Sequence, residues 1–191
     1  GKLSGTFASL SSRIEVPSDF EAAIAAVLGE HLDGVLLNGK EELDKVLAFI
    51  ENAEKGRAVL IADGMIKTSD SLSNIKDADF LGIASEVIKI PDNLKTIMNL
   101  LLGQVVIVKN RTAAQRIMPS LPLTARVVTL KGEVFWGNGV VVAGQETRGG
   151  VIARPRQKRE LQEALDAVNQ RHKEILNKVN DLQKKLEQCR Q

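Results

Sequence analysis

The final stretch of the chain repeats an apolar residue every seven positions. Leu161, Val168, Ile175, Leu182 and Cys189 form one series, and Leu165, His172, Val179 and Leu186 form a second, offset by alternating steps of four and three. That spacing is the a/d seam of a coiled coil, sustained over about four heptads. The positions between are dominated by Glu, Lys, Arg, Gln, Asp and Asn, as a solvated face requires. A lone amphipathic helix gains little from propensity and needs a second helix to cover its stripe. No other stretch offers a matching heptad run, so the expected partner is another chain or an upstream segment of a longer parent. The chain starts at Gly1 without a methionine and stops in mid-heptad at Gln191, and it is expected to be an excised piece.

Ahead of that helix lies a body of about 150 residues, long enough to bury a real core. The net charge of +2 hides an asymmetry: from Val151 onward ten Lys/Arg face six Asp/Glu, which makes the tail +4 and the body −2. A single cysteine excludes an intrachain disulfide framework, a CxxC zinc site and a redox pair, and points to a reducing cytosol. No apolar run is long enough to span a bilayer, and no signal peptide is visible.

The body reads as an α/β unit that occurs twice. A helix over Glu21 to Leu28 stops at Gly29, which suits a left-handed cap, and a strand Val35-Leu36-Leu37 ends at Asn38. A helix from Glu41 to Ile50 and a strand from Arg57 to Ala62 follow. About seventy residues later the order recurs: helix Leu94 to Leu102, Gly103, strand Val105 to Val108, Asn110, helix Thr112 to Met118, strand Arg126 to Leu130. The texts "VLGEHLDGVLLN" and "LLGQVVIVKN" rhyme, as do "GRAVLIAD" and "TARVVTLKG". Between the copies, Asp63 to Asp79 is rich in Ser, Asp and Asn, the composition of a linker. The expected organisation is a first subdomain over 1–65, a linker over 66–79, a second subdomain over 80–150, and a basic collar with its coil over 151–191. Strand order within each half stays open.

Glu133 to Ala143 reads as a strand or hairpin interrupted by Gly137-Asn138-Gly139, followed by Gly144 and Gly149-Gly150. These glycines do not spell a phosphate loop: there is neither a G-x-G-x-x-G between strand and helix nor a G-x-x-x-x-G-K-[ST]. A turn with a bulge, or close approach of a second backbone, remains. Arg148, Arg154, Arg156, Lys158 and Arg159 then form a basic run without an acidic residue, open to solvation or to phosphate contact. No aromatic residues interleave with it, so base stacking is not indicated. His31, just past a helix stop, and His172, in the seam, both lack the setting of a general base. Cys189 reads as a small seam residue, and Trp136 beside Phe135 as core or interface. No catalytic residues and no metal ligands are expected.

The stretches "GKLSGTFASLSSRIEVPSDFEAAIAAVLGEHLDGVLLN", "GRAVLIAD", "LLGQVVIV", "RVVTLKGEVFWGNGVVVAG" and "RPRQKRELQEAL" together resemble the hinge domain of structural maintenance of chromosomes (SMC) proteins, of a prokaryotic type. Two departures stand out. Gly144 is followed by Gln145 where the family has a second glycine, and a "GRATFLPL"-like strand appears as "GRAVLIAD". The resemblance implies two similar subdomains of mixed sheets with helices, followed by one long coiled-coil helix. It implies a two-fold homodimer, with Gly137, Gly139, Val140, Val142 and Gly144 at the interface. The missing helix would be an upstream arm of the same parent chain. ATP and Mg would belong to a separate head domain, with no cofactor in this piece. DNA would meet the collar cations Arg148, Arg154, Arg156, Lys158 and Arg159 on the nucleoid in the cytoplasm. Two rivals are set aside. A basic zipper needs a continuous basic helix, which Gly149-Gly150 and Pro155 are expected to break. An α/β nucleotide-handling enzyme needs a catalytic constellation, which the residues do not offer.

Overall fold

Both copies of the repeated unit open with the same proline device. Pro17 and Pro91 hold extended backbone, with φ −59° and ψ 145° and 146°, immediately before a short 3-10 turn. Each proline carbonyl accepts the N–H three residues on, from Phe20 at 3.0 Å and from Leu94 at 2.9 Å. The fixed φ of proline presets that turn, and a helix of eight residues follows in each half: α1 (Glu21–Leu28) and α3 (Lys95–Leu102). The computed structural model describes residues 8–53, 57–62, 72, 75–144 and 149–188. It divides into two units between Pro155 and Arg156.

In the first half, α1 leads through Gly29, at φ +50°, into β1 (Val35–Leu37), then α2 (Gly39–Ala53) and β2 (Leu60–Ala62). Strands β1 and β2 are parallel, with Val35 opposite Leu60 and Leu37 opposite Ala62. Helix α2 is therefore the crossover that a parallel pair requires. In the second half, α3 is followed by β4 (Val105–Val108), α4 (Arg111–Ile117) and β5 (Arg126–Thr129), and β4 and β5 are again parallel. The duplicated unit read in the sequence is thus present twice, with the same crossover. Asn110 caps α4, its side-chain oxygen accepting Ala113 N–H at 2.9 Å.

Among the described residues, the second half has strands beyond the repeated unit. β3 (Phe80–Ile83) runs antiparallel to β4 with an irregularity between Phe80 and Gly82, and β6 (Val134–Trp136) and β7 (Val141–Val142) continue antiparallel from β5. The order is β3-β4-β5-β6-β7. β4 is buried on both faces, as a central strand with parallel pairing should be. Period-two alternation sorts its side chains: Val105 and Ile107 join the core of α1 and α3, and Val106 and Val108 join the core of α4. That first core spans both halves, from Leu10, Ile24 and Leu28 to Met98, Leu102 and Val128.

One expectation is overturned. Gly149-Gly150 and Pro155 do not break the chain before the coil: α5 (Gly149–Gln188) begins at the glycines and continues through Pro155. Proline lacks the N–H that would reach the carbonyl of Val151 and disfavours a helix interior. Ile152, 1% exposed, is nevertheless buried in the first core, and Ala153 beside it is 4% exposed, so packing overrides propensity there.

Candidate dimer edge and basic helix

The glycine-rich strand region is a β-hairpin at the end of the five-stranded sheet. Gly139 N–H donates to Trp136 O at 2.9 Å, and Trp136 N–H donates to Val140 O at 2.9 Å. The loop is therefore three residues long, with Gly139 at φ +88° in its left-handed position, as a type I turn with a glycine bulge demands. Asn138 Oδ1 accepts Val140 N–H at 3.1 Å and locks the turn. Gly137 has a different reason to be glycine. A Cβ there would lie 2.6 Å from Leu123 O and 2.7 Å from Leu123 Cα. Gly137 and Gly139 thus both meet requirements set within their own chain. Gly144, at φ +134°, follows β7, and an added Cβ would meet nothing within 4 Å.

Among the described residues, β7 is the open edge of this sheet. Because Val140 turns its carbonyl toward Trp136, antiparallel alternation turns the N–H and C=O of Val141 outward. The edge is apolar: Val140, Val141 and Val142 are 51%, 52% and 56% exposed. Trp136 is 38% exposed, and Leu123, in the loop behind Gly137, is 78% exposed. Such an edge is a template for strand addition. Val141 stands opposite Phe135, on the side of the α4 core, and Val142 stands opposite Val134, on the side of α1 and α3. Of the residues expected here, Gly137, Gly139, Val140 and Val142 share this hairpin, and Gly144 follows β7. Val141, Leu123 and Arg126 were not foreseen. A run of three valines does not say which one faces outward, and Leu123 sits in a loop without periodicity.

Arg126 on β5 is half-buried. Its guanidinium donates to Leu101 O at 2.6 Å, and a longer bond, 3.5 Å, runs to Val27 O. Burial draws this group below its ordinary pKa, but an arginine stays charged in any case.

The collar cations lie on α5. Arg154, in the body's part of the helix, is exposed. In the second unit Arg156 bonds Glu160 at 2.8 Å and Arg159 lies 3.8 Å from Glu163, both as i,i+4 pairs, while Lys158 is exposed. Arg148 lies outside the described residues. The seam is uncovered: Leu161, Leu165, Val168, Ile175, Val179 and Leu182 are between 44% and 71% exposed, and His172 is exposed too. The Leu186 side chain and Cys189 lie outside the described residues. Among the described residues, no helix is long and apolar enough to cross a membrane.

Residues 3–118 match the model of the SMC proteins flexible hinge domain. The chain belongs to the SMC hinge family. The match ends before β5, so the hairpin edge and α5 rest on other comparisons. The chromosome partition protein Smc of Myxococcus xanthus is 28% identical over 190 residues, covering 95% of this chain and 16% of that protein. That of Halothermothrix orenii is 27% identical over 149 residues, covering 76% and 13%. The chain therefore spans a small part of these relatives' length. Among solved structures, an asymmetric dimer of the Geobacillus stearothermophilus SMC hinge domain superposes with a TM-score of 0.79 at 23% identity, covering 88% of this chain and 70% of that one. The Pyrococcus furiosus Smc hinge with an extended coiled coil gives 0.63 at 22%, covering 88% and 64%. These likenesses establish the fold. The family match, and no longer a broken helix, is what excludes the basic zipper.

Proposed function

We propose that this chain is the homodimerising hinge of a chromosome-organising ATPase, a non-catalytic module that joins two long arms. The observation that carries it is the open β7 edge: three exposed valines, an outward N–H and C=O at Val141, and Trp136 and Leu123 alongside. A second copy of the chain is the occupant that family membership supports, since one hinge neighbour was solved as a dimer. Strand addition supplies the backbone bonds, and the valines supply the apolar area. The uncovered seam of α5 is read as half of a coiled coil whose other helix is an upstream arm of the same parent, as the coiled-coil extension of one neighbour suggests. ATP and Mg belong, on this reading, to a head domain outside this chain, and the parent works on the nucleoid in the cytoplasm.

Sedimentation equilibrium of the full chain tests the pairing. The wild type should be dimeric at micromolar concentration. Val141→Glu, which sets a charge on the edge, should weaken the dimer on the order of a hundredfold with its circular dichroism intact. A monomeric wild type would refute the reading.

A second proposal is DNA contact by Arg148, Arg154, Arg156, Lys158 and Arg159, supported by the +4 charge of the tail against the −2 of the body. Contact through phosphates makes binding sequence-tolerant, with log affinity falling by about 0.9 per phosphate against log salt on duplex. The ion pairs at Arg156 and Arg159 compete with phosphate, so Arg154→Glu with Lys158→Glu should remove most of the affinity. Undiminished binding by that double variant returns the collar to an ordinary solvated surface.

A further inference from the structure

Arg126 is a half-buried cation whose hydrogen bonds go to main-chain carbonyls. The two it meets, Leu101 O and Val27 O, each belong to the next-to-last residue of a helix, α3 and α1. Orphan carbonyls and the negative ends of two helix dipoles therefore converge on one charge. The two carbonyls also occupy equivalent places in the duplicated unit, immediately before Leu28-Gly29 and Leu102-Gly103. The same sequence interval relates Glu15 to Lys89, which exchange both backbone hydrogen bonds at 3.1 and 2.9 Å. Arg126 thus bridges the two halves along the line where their copies meet.

The guanidinium also faces the pairing edge. Its Cζ lies 5.1 Å from the centroid of the Trp136 ring, within cation–π range, and Trp136 stands directly opposite Arg126 in the β5–β6 register. Trp136 is at the root of the β6–β7 hairpin, bonded to Val140, and its partial exposure leaves it available to a partner.

We propose that Arg126 is a positioning residue that couples hinge pairing to the junction between the two halves. It holds Trp136 in the orientation that the partner meets, and burial of Trp136 by the partner tightens its grip on the ends of α1 and α3. The proposal rests on the homodimer reading of β7. Its physical basis is water exclusion: a covered cation–π pair loses competing solvent, and the carbonyl bonds of the same guanidinium strengthen in the drier surroundings. Linkage makes the effect reciprocal, so a loosened junction weakens pairing.

The chain holds one tryptophan and no tyrosine, so its emission reports Trp136 against a silent background. Dimer Kd and emission would be measured on the full chain for wild type, Arg126→Met, Arg126→Lys, Trp136→Leu and the Arg126→Met/Trp136→Leu double variant. Arg126→Met should raise the dimer Kd about tenfold, the range of one partly desolvated cation–π contact. Arg126→Lys, which keeps the charge and lacks the fork that reaches two carbonyls, should raise it by a smaller factor. The double variant should pair no worse than Trp136→Leu alone, the mark of a shared interaction. A lowered melting temperature with unchanged dimer Kd in Arg126→Met overturns the coupling and leaves only a structural role. If Arg126→Met does not fold, the wild type decides through hydrogen exchange of Gly29 and Gly103 N–H, which close α1 and α3 on Ala25 O and Asn99 O. Protection should fall on dilution below the dimer Kd, and equal protection in monomer and dimer overturns the proposal. A wild-type chain that never dimerises defeats the homodimer reading and this one with it, whereas a wild-type dimer with an indifferent Arg126→Met defeats this one alone.

Discussion

The two copies of the helix–strand–helix–strand unit begin alike and end differently. Each starts with a proline-set turn and an eight-residue helix, and each places two parallel strands around a crossover. In the second copy, β3 pairs along β4 and the β6–β7 hairpin extends β5, so that β4 has neighbours on both sides. In the first, the described outer neighbour of β1 is the segment from Ala8 to Leu10, with an antiparallel bridge from Ser9 to Val35 and a bond from Leu36 N–H to Ala8 O at 3.2 Å. Among the described residues, the first half has a small core of its own around Leu37, Val46 and Ala62, and joins the shared core through Ile24 and Leu28. A repeated unit does not carry repeated surroundings, and the packing around its strands is what the following variants probe.

The sharpest way to break this comparison is a charge in the central strand. Ile107 is fully buried between β3, β5 and the shared core. An unpaired buried carboxylate costs several kcal/mol, a large part of the roughly 5–15 kcal/mol that holds a domain folded. Ile107→Asp should unfold both halves together, with loss of circular dichroism and a red shift of Trp136 emission. Leu37→Ala in the small core should cost about 2–3 kcal/mol and leave a single cooperative melt. Two separate transitions in either variant would mean that the halves are independent and that the shared core does not join them.

A smaller effect separates two glycines of the added hairpin. Gly137→Ala drives a Cβ into the backbone of Leu123 and should cost about 1–3 kcal/mol while displacing the loop before Arg126. Gly139→Ala meets no atom and carries only the strain of its positive φ, about 1 kcal/mol. Thermal melts of the two variants test the order. A costlier Gly139→Ala would place the constraint in the turn and not in the loop approach.

The duplicated unit was legible because its signals are local: apolar runs at Val105 to Val108 and Arg126 to Leu130, and a leucine–glycine stop after each short helix. β3 was not legible. Phe80-Leu81-Gly82-Ile83 is short, irregular at Gly82, and follows a polar stretch that reads as linker. The start of α5 was misread because Gly149, Gly150 and Pro155 all argue against a helix locally, whereas the burial of Ile152 and Ala153 is decided by the rest of the body. In the candidate site, the hairpin and its glycines were visible in the text. Arg126 was not, because its partners at Val27 and Leu101 come near it only after the two copies fold against each other.

The smallest expected effect tests how the extra strand β3 is held. Arg116 on α4 binds Asp77 through two bonds of 2.7 Å and reaches Asp79 at 3.1 Å, just ahead of β3. The hydrogen bond from Arg116 lowers the Asp77 carboxyl from its ordinary 3.8 to about 2, with help from the N–H of Asp79. A carboxyl lowered in the folded state stabilises fully above its unfolded pKa, where it is ionised in both states. As pH falls below 3.8 the unfolded chain takes up the proton first, and the contribution shrinks until it vanishes near pH 2. The difference in melting temperature between wild type and Asp77→Asn should therefore be flat from neutral pH to about pH 4 and close between there and pH 2. It should be small throughout, and smaller in high salt, because Arg116 is half exposed. Glu133 is lowered in the same direction by Arg111, so the wild-type acid profile alone is a composite and only the paired comparison isolates Asp77. A difference that persists unchanged at pH 2 would show that Asp77 holds β3 through its shape and backbone bonds, and that the ion pair to Arg116 adds nothing.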